Sequence, residues 1–330
     1  MEFAGKPNLK NLPKVLLLRP PPVFTIYEPE FSQHFDCIKA YESPLPLPHF
    51  LTTANSAGVT AMIASGHTQI TGVDILDHLP NLRCIVTTTA GLNHIDLAEC
   101  RRRGIAVTSA GDSYSDDCAE SAVALVIDVL RNVSSGDRFV RIGGWSVDGQ
   151  FRLGNRLSGK TVGIIGLGSI GCRIAKRLEA FGCRILYNSR KEKPSVSYTF
   201  YSDVTELATN SDVIIISCAL TDQTRHMIST EVLSALGKEG VIVNIARGPI
   251  IDEKELVRFL VEGKIAGAGL DVFEKEPNIP KELIAMENVV LSPHAAFLTH
   301  ESFRDIFELV KGNLEAFFSN KPLLSPVMDV

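Results

Sequence analysis

"TVGIIGLGSIG", residues 161–171, joins a short β-branched run to a glycine pattern, and the fold is read outward from it. "TVGII" has the composition of a buried strand. Gly166, Gly168 and Gly171 follow in G-x-G-x-x-G spacing, and a helical stretch from Ile170 to Phe181 opens on them. Alone the glycine pattern is weak; between a strand and a helix it stands where a dinucleotide site requires it. Gly166 permits a tight turn, Gly168 lets the backbone approach a pyrophosphate, and Gly171 lets helix and strand pack closely. The phosphates then fall over Gly168, Ser169 and Ile170, where free N–H groups and the helix dipole favour anions. The plain alternative is a glycine-rich turn that binds nothing.

The same rhythm extends in both directions. "RILY" (184–187), "DVIIIS" (212–217), "GVIVNI" (240–245), "GAGLDV" (267–272) and "NVVLS" (288–292) read as further strands. Upstream, "KVLLL" (14–18), "TAMIA" (60–64), "RCIVTT" (83–88) and "IAV" (105–107) do the same. Each is separated from the next by enough chain for a helix. Continuous apolar strands alternating with helices imply parallel sheets covered on both faces. Two sets of strands imply two doubly wound α/β domains with a cleft between them, a Rossmann cofactor domain and a flavodoxin-like substrate domain. "SDDCAESAVALVIDVLRNV" (115–133) reads as a long helix that Ser115 can cap, with Ala119, Ala122, Val123, Val126, Ile127 and Leu130 as its apolar stripe. A last helix from about Thr299 to Phe318 returns to the first domain. The expected division is 1–112 with 298–330 as the substrate domain and 113–297 as the dinucleotide domain.

Composition narrows the function. The 330 residues are 45% hydrophobic and 22% charged, as in ordinary soluble domains. A net charge of −5 argues against a nucleic-acid partner. No apolar run is long enough to span a bilayer, and the N-terminal stretch "MEFAGKPNLKNLPK" has no apolar signal core. Seven scattered cysteines without a C-x-x-C pair suggest reduced cytoplasmic thiols and no metal site.

Such nucleotide sites usually carry an acid at the tip of the second strand, to hold the adenosine ribose. Here the tip reads Tyr187, Asn188, Ser189, Arg190, Lys191. Asn188 and Ser189 do not repel a 2′-phosphate and can donate to it; Arg190 offers a planar fork, with Lys191 and Lys193 adding charge. The expectation is NADP(H) in preference to NAD(H), with a solvated polar turn as the alternative.

Three later strand ends carry the chemistry. Arg247 lies just past "VIVNI", Asp271 ends "GAGLD" with Glu276 in the loop that follows, and His294 lies just past "NVVLS". Ligands of open parallel sheets bind outside the carboxyl ends of strands. An Arg, a Glu and a His together there suit reduction of a carbonyl beside a carboxylate. Arg247 would hold the carboxylate, His294 would give its proton to the carbonyl oxygen, and Glu276 would hold the imidazole and favour its charged form. Each also has a plain reading: a surface ion pair for Arg247, a charged loop for Glu276, a satisfied turn histidine for His294.

"TTTAGLNHIDL", "GKTVGIIGLGSIG", "NIARGPIIDE", "AGAGLDVFEKEP", "VVLSPHAA" and "NKPLLSPV" together resemble the D-isomer-specific 2-hydroxyacid dehydrogenases, and among them the plant-type glyoxylate/hydroxypyruvate and hydroxyphenylpyruvate reductases. The resemblance covers nearly the whole chain. It implies that Arg247, Glu276 and His294 are catalytic and that Asp271 contacts the nicotinamide amide. It places Ser115, Cys218 and Ala246 against cofactor. It also implies that the N–H groups of Ala90 and Gly91 help bind the substrate carboxylate, with Ser65 and Gly66 lining the same pocket. It further implies a homodimer, with the long helix and the loop around Trp145 in the interface. Two departures stand out: Ser169 replaces a frequent phosphate-contacting Arg, and Phe297 replaces a small residue. The implied activity is NADPH-dependent reduction of glyoxylate or hydroxypyruvate. A hydroxyphenylpyruvate reductase and a dinucleotide-sensing binding protein of the same fold are the alternatives.

Overall fold

In the computed structural model, which describes residues 12–66 and 68–327, the chain divides into two compact units. One runs to Tyr114 and resumes at Thr299; the other is Ser115–Leu298. The first holds a five-stranded sheet of β1 (Lys14–Leu17), β2 (Asp36–Lys39), β3 (Ala61–Ala64), β4 (Cys84–Thr87) and β5 (Ala106–Thr108). The second holds a seven-stranded sheet of β6 (Thr161–Ile165), β7 (Arg184–Asn188), β8 (Thr199–Phe200), β9 (Val213–Ile216), β10 (Val241–Asn244), β11 (Gly267–Leu270) and β12 (Val289–Leu291). Every pairing in both sheets is parallel.

The strand orders are β2-β1-β3-β4-β5 and β12-β11-β10-β9-β6-β7-β8. Each order reverses direction once, between β1 and β3 in the first sheet and between β6 and β9 in the second. Such a reversal leaves a crevice at the carboxyl ends of the two strands, because the connecting helices depart to opposite faces. The central strands are continuous apolar runs because both their faces are covered. Ile164, Ile214, Ile215, Ile216 and Val243 are wholly buried, and each such side chain contributes about 1.5–3 kcal/mol by leaving water. Two short strands escape sequence reading. β2 is an edge strand with only half-buried or exposed residues, and β8 is two residues long.

The helix Ser169–Ala180 lies over the second sheet through Gly171, Ile174, Ala175 and Leu178, which recur at the three- and four-residue steps of one helical face. The long helix is shorter than the expected 115–133. It starts at Ser115, stops at Arg131, and the chain turns at Asn132 with φ +56°. Its buried stripe includes Ala119, Ala122, Val123, Val126 and Leu130. In the first unit, the helix His300–Phe318 opens with a reciprocal cap between Thr299 and Ser302 and buries Phe303, Ile306, Phe307, Val310 and Leu314. Among the described residues no helix is long and apolar enough to cross a membrane.

Candidate active site

The glycine turn lies at the reversal between β6 and β9. Gly166 has φ +96°, and a Cβ there would come within 2.6 Å of the Cys218 backbone, at the end of β9. Ser217 closes the turn by donating to the Gly166 carbonyl at 2.8 Å. A Cβ on Gly171 would meet the Gly166 carbonyl oxygen at 2.2 Å, so the first turn of the helix can press on the loop only with glycine there. Gly168 differs: an added Cβ meets no atom within 4 Å. Its outer side is open, beside first-turn N–H groups that have no intrahelical acceptor. Open space next to unpaired donors suits the pyrophosphate of a dinucleotide.

The tip of β7 corrects one expectation. Asn188 is buried, and its amide group donates to the carbonyls of Tyr201 at 2.8 Å and Ser202 at 3.1 Å. Its side chain turns inward to tie down the segment after β8, so its donors are not offered to a 2′-phosphate. Ser189 is half-buried and donates its hydroxyl to the Lys191 carbonyl at 2.6 Å. Arg190 and Lys191 are exposed. They are the groups at this tip with cationic donors turned to solvent.

The carboxyl ends of β10, β11 and β12 bring the remaining side chains together. Asn244, Leu270 and Leu291 stand in one row of the sheet, so the residues after them leave from neighbouring points. Arg247 follows β10. Its backbone is held where Asn244 donates to its carbonyl at 3.0 Å and accepts from the Ala246 N–H at 3.0 Å. Its guanidinium is half-buried and makes one side-chain hydrogen bond among the described residues, from Nη1 to the Ala246 carbonyl at 2.6 Å. Burial lowers its pKa from the ordinary value; the negative charge of Glu276 and the Cys118 thiol oppose that shift.

His294 follows β12 with φ +55°, a left-handed conformation that costs a residue with a Cβ about 1–3 kcal/mol. Asp271 holds it there. The Asp271 carbonyl accepts from the His294 N–H at 2.8 Å. Its carboxylate accepts from the N–H groups of Ala295 at 2.7 Å and Ala296 at 3.1 Å, and from the Ser292 hydroxyl. Asp271 is thus both an end-of-strand residue and the anchor of the histidine turn. The imidazole Nδ1 lies 2.8 Å from Glu276 Oε2, and Glu276 Oε1 accepts from the Phe273 N–H at 3.0 Å. Burial alone would raise the Glu276 carboxyl. The hydrogen bonds from His294 and Phe273, with the charges of His294 and Arg247, outweigh it and hold the carboxyl below its usual range. An acid oriented by a carboxylate beside a cation with unmet donors can protonate an oxygen next to a bound anion.

Two neighbours were not read from sequence as part of this constellation. Ser292 bonds Asp271. The Cys118 thiol is pushed up to about 12 by burial and by Asp271, with Arg247 opposing; the raised value leaves it protonated and unreactive. The Phe297 ring stands edge-on to His294, with centroids 6.1 Å apart. Ser115 is buried at the start of its helix, and Ala246 is buried beside Arg247.

In the first unit, Ser65 is buried just past β3, at the reversal of that sheet, and Ala90 and Gly91 follow β4. A Cβ on Gly66 would lie 3.5 Å from the Thr89 methyl, and the Thr89 hydroxyl donates to the Gly91 carbonyl at 2.7 Å, so these two loops adjoin.

A dinucleotide turn at a sheet reversal, with an Arg, Glu and His at adjacent strand ends, defines a nicotinamide-dependent oxidoreductase acting on an anionic carbonyl or alcohol. The chain belongs to the D-isomer-specific 2-hydroxyacid dehydrogenase family: residues 123–296 match its NAD-binding domain. Glyoxylate/hydroxypyruvate reductase HPR3 of Arabidopsis thaliana is 50% identical over 316 residues, covering 96% of this chain and 97% of that protein. Hydroxyphenylpyruvate reductase of Plectranthus scutellarioides is 44% identical over 307 residues, covering 93% and 97%. Among solved structures, the NADPH-dependent glyoxylate/hydroxypyruvate reductase of Sinorhizobium meliloti, in complex with NADP and malonate, superposes with a TM-score of 0.86 at 34% identity, covering 96% of this chain and 97% of that one.

Proposed function

We propose that this dehydrogenase reduces small 2-oxo acids, glyoxylate and hydroxypyruvate, to D-2-hydroxy acids with NADPH. The observation that carries the reading is the half-buried Arg247 guanidinium, which makes one hydrogen bond among the described residues and stands near the His294–Glu276 pair. Arg247 binds the substrate carboxylate through its planar fork. NADPH, when bound, supplies the hydride. His294, protonated and held by Glu276, delivers its proton to the carbonyl oxygen, so the developing alkoxide is neutralised as it forms. Asp271 keeps the His294 turn in place. Ser65, Gly66, Ala90 and Gly91 are assigned to the substrate by family resemblance, as Ser115, Cys218 and Ala246 are to the cofactor. The names of the relatives support the substrate class. Arg190 and Lys191, with no acid at the strand tip, support the phosphorylated cofactor.

Phe297 favours a second reading, hydroxyphenylpyruvate reduction, because its ring beside His294 offers an aryl group a face or an edge. A homodimer is supported by Ile142, Trp145, Val147 and Leu153, which are 81, 64, 83 and 97% exposed within one short segment. A cytoplasmic location is supported by seven unpaired cysteines. Steady-state kinetics on a panel of glyoxylate, hydroxypyruvate, hydroxyphenylpyruvate, pyruvate and 3-phosphohydroxypyruvate, each with NADPH and NADH, tests the assignment. Highest kcat/KM with glyoxylate or hydroxypyruvate and NADPH is expected. Binding of NADPH without turnover of any 2-oxo acid would mark a sensor instead.

A further inference from the structure

The loop that carries Glu276 is held at a point outside the Arg–Glu–His set. Phe273 and Glu274, just past β11, have consecutive N–H groups, and each meets a carboxylate. The Phe273 N–H donates to Glu276 Oε1 at 3.0 Å. The Glu274 N–H donates to Glu253 Oε2 at 3.1 Å. Glu253 belongs to another element, the first turn of the helix Glu253–Val261, which follows the turn after Arg247. That turn also presses on the loop: a Cβ on Gly248 would collide with the Phe273 carbonyl and the Glu274 nitrogen. The peptide that joins Phe273 to Glu274 is therefore fixed by both Gly248 and Glu253. Capping does not account for Glu253, because Asp252 caps its helix by accepting from the Glu255 N–H at 3.3 Å. Attraction between side chains does not account for it either. Glu253 and Glu274 are both acids, and the Glu274 carboxylate lies 3.3 Å from His226 Nε2 instead. Glu253 is half-buried. Burial raises its carboxyl above the ordinary value, and the Glu274 N–H is the main opposing influence.

We propose that Glu253 is a positioning residue for the Glu276–His294 pair, which it serves by holding the Glu274 N–H and with it the Phe273 peptide that orients Glu276. The proposal rests on Glu276 and His294 being the proton-donating pair. The contacts run from Glu253 Oε2 to the Glu274 N–H, back one residue to the Phe273 N–H, on to Glu276 Oε1, and from Glu276 Oε2 to His294 Nδ1 at 2.8 Å. Every link is a covalent or a hydrogen bond, so a displaced 273–274 peptide displaces the carboxylate that faces the imidazole. Glu253 thus acts on proton delivery through Glu276, while substrate binding by Arg247 and cofactor binding at the glycine turn do not depend on it. The bland role for an acid in a first helical turn is its attraction to the helix dipole, and an aspartate supplies that equally well.

The test is steady-state reduction of the 2-oxo acid turned over best, with NADPH, alongside fluorescence titration of NADPH and a thermal melt of each variant. Glu253→Ala is expected to lower kcat roughly tenfold to a hundredfold, the scale of a small misplacement in a catalytic constellation, while substrate KM and the NADPH Kd hold. Glu253→Gln keeps an acceptor at the same reach without the charge and should recover most of that loss. Glu253→Asp keeps the charge but draws the acceptor back by a methylene, and should resemble the alanine variant. This glutamine–aspartate contrast reads the proposal even if Glu253→Ala fails to fold. In a Glu276→Gln background, Glu253→Ala should cost little more, since both changes act at one carboxylate. Unchanged kcat in Glu253→Ala, a Glu253→Asp enzyme that outperforms Glu253→Gln, or fully additive losses in the double variant would each overturn the proposal. If Glu276→Gln itself leaves kcat unchanged, the proton-donating pair is wrong and this proposal falls with it. A silent Glu253→Ala beside an impaired Glu276→Gln overturns this proposal alone.

Discussion

Arg247→Ala separates binding chemistry from architecture, because the side chain has so little structural work to do. Among the described residues its guanidinium makes one hydrogen bond, to the carbonyl of Ala246, and the loop is held by contacts from the Asn244 side chain to the backbone that the substitution leaves alone. Removing one such bond costs about 1 kcal/mol, and relief of the burial that lowers the guanidinium pKa offsets part of it. Melting temperature should therefore fall by only a few degrees. Loss of the cation opposite a bound carboxylate costs about 2–5 kcal/mol. At 1.36 kcal/mol per tenfold, that is roughly thirty- to several-thousand-fold in kcat/KM for glyoxylate. Arg247→Lys retains the charge without the fork and should fall between wild type and the alanine variant. The assay is initial-rate reduction of glyoxylate with saturating NADPH, alongside a thermal melt. A well-folded Arg247→Ala enzyme within threefold of wild type would refute the assignment, since the carboxylate would then be bound elsewhere.

Four further variants carry expected outcomes. In Glu276→Gln the imidazole loses the carboxylate that orients it, and kcat for reduction should fall on the order of a hundredfold while the cofactor Kd holds. In wild type the Glu276 carboxyl is held low, so its contribution to stability is present above the unfolded carboxyl pKa and is lost as pH falls through the lower folded value. An unchanged kcat in Glu276→Gln would count against the pair. Ser189→Asp with Arg190→Ser should reverse the cofactor preference, by roughly tenfold to a hundredfold in kcat/KM, mostly in KM, with the wild-type preference weakening in high salt. Asn188→Ala should leave that preference alone and destabilise the fold by about 1–3 kcal/mol, because its amide holds two backbone carbonyls; chemical denaturation and the NADPH/NADH ratio read the two effects apart. Asp271→Ala removes the acceptor for the Ala295 and Ala296 N–H groups and should lower kcat on the order of a hundredfold through a displaced His294, whereas a purely cofactor-binding role would raise the cofactor KM instead.

Most strands were legible because they are short apolar runs buried on both faces and set at regular intervals between helical stretches. β2 and β8 were not, since edge strands bury little and leave no continuous apolar signature. Arg247, Glu276 and His294 could be picked out because each stands next to a strand end, and parallel strands deliver their carboxyl ends to one edge. The direction of a side chain at such an end was not legible. "YNSRK" contains three polar residues that could each face a phosphate, and packing after β8 decides that Asn188 turns inward while Arg190 stays in water.

What the sequence by itself determined is therefore the set of local, periodic and glycine-dependent features: two parallel α/β units, the turn at 166–171 and the candidate side chains that follow the strand ends. These follow from dihedral freedom and burial within a dozen residues. The tertiary structure alone decided which polar groups are used up inside the protein and which remain for a ligand. Asp271 anchors the His294 turn, Glu276 meets the imidazole 18 residues away at 2.8 Å, and Arg247 gives one donor to the Ala246 carbonyl. Hydrogen-bond capacity is a competition among groups brought together by the whole sheet, and a linear sequence does not state who the competitors are.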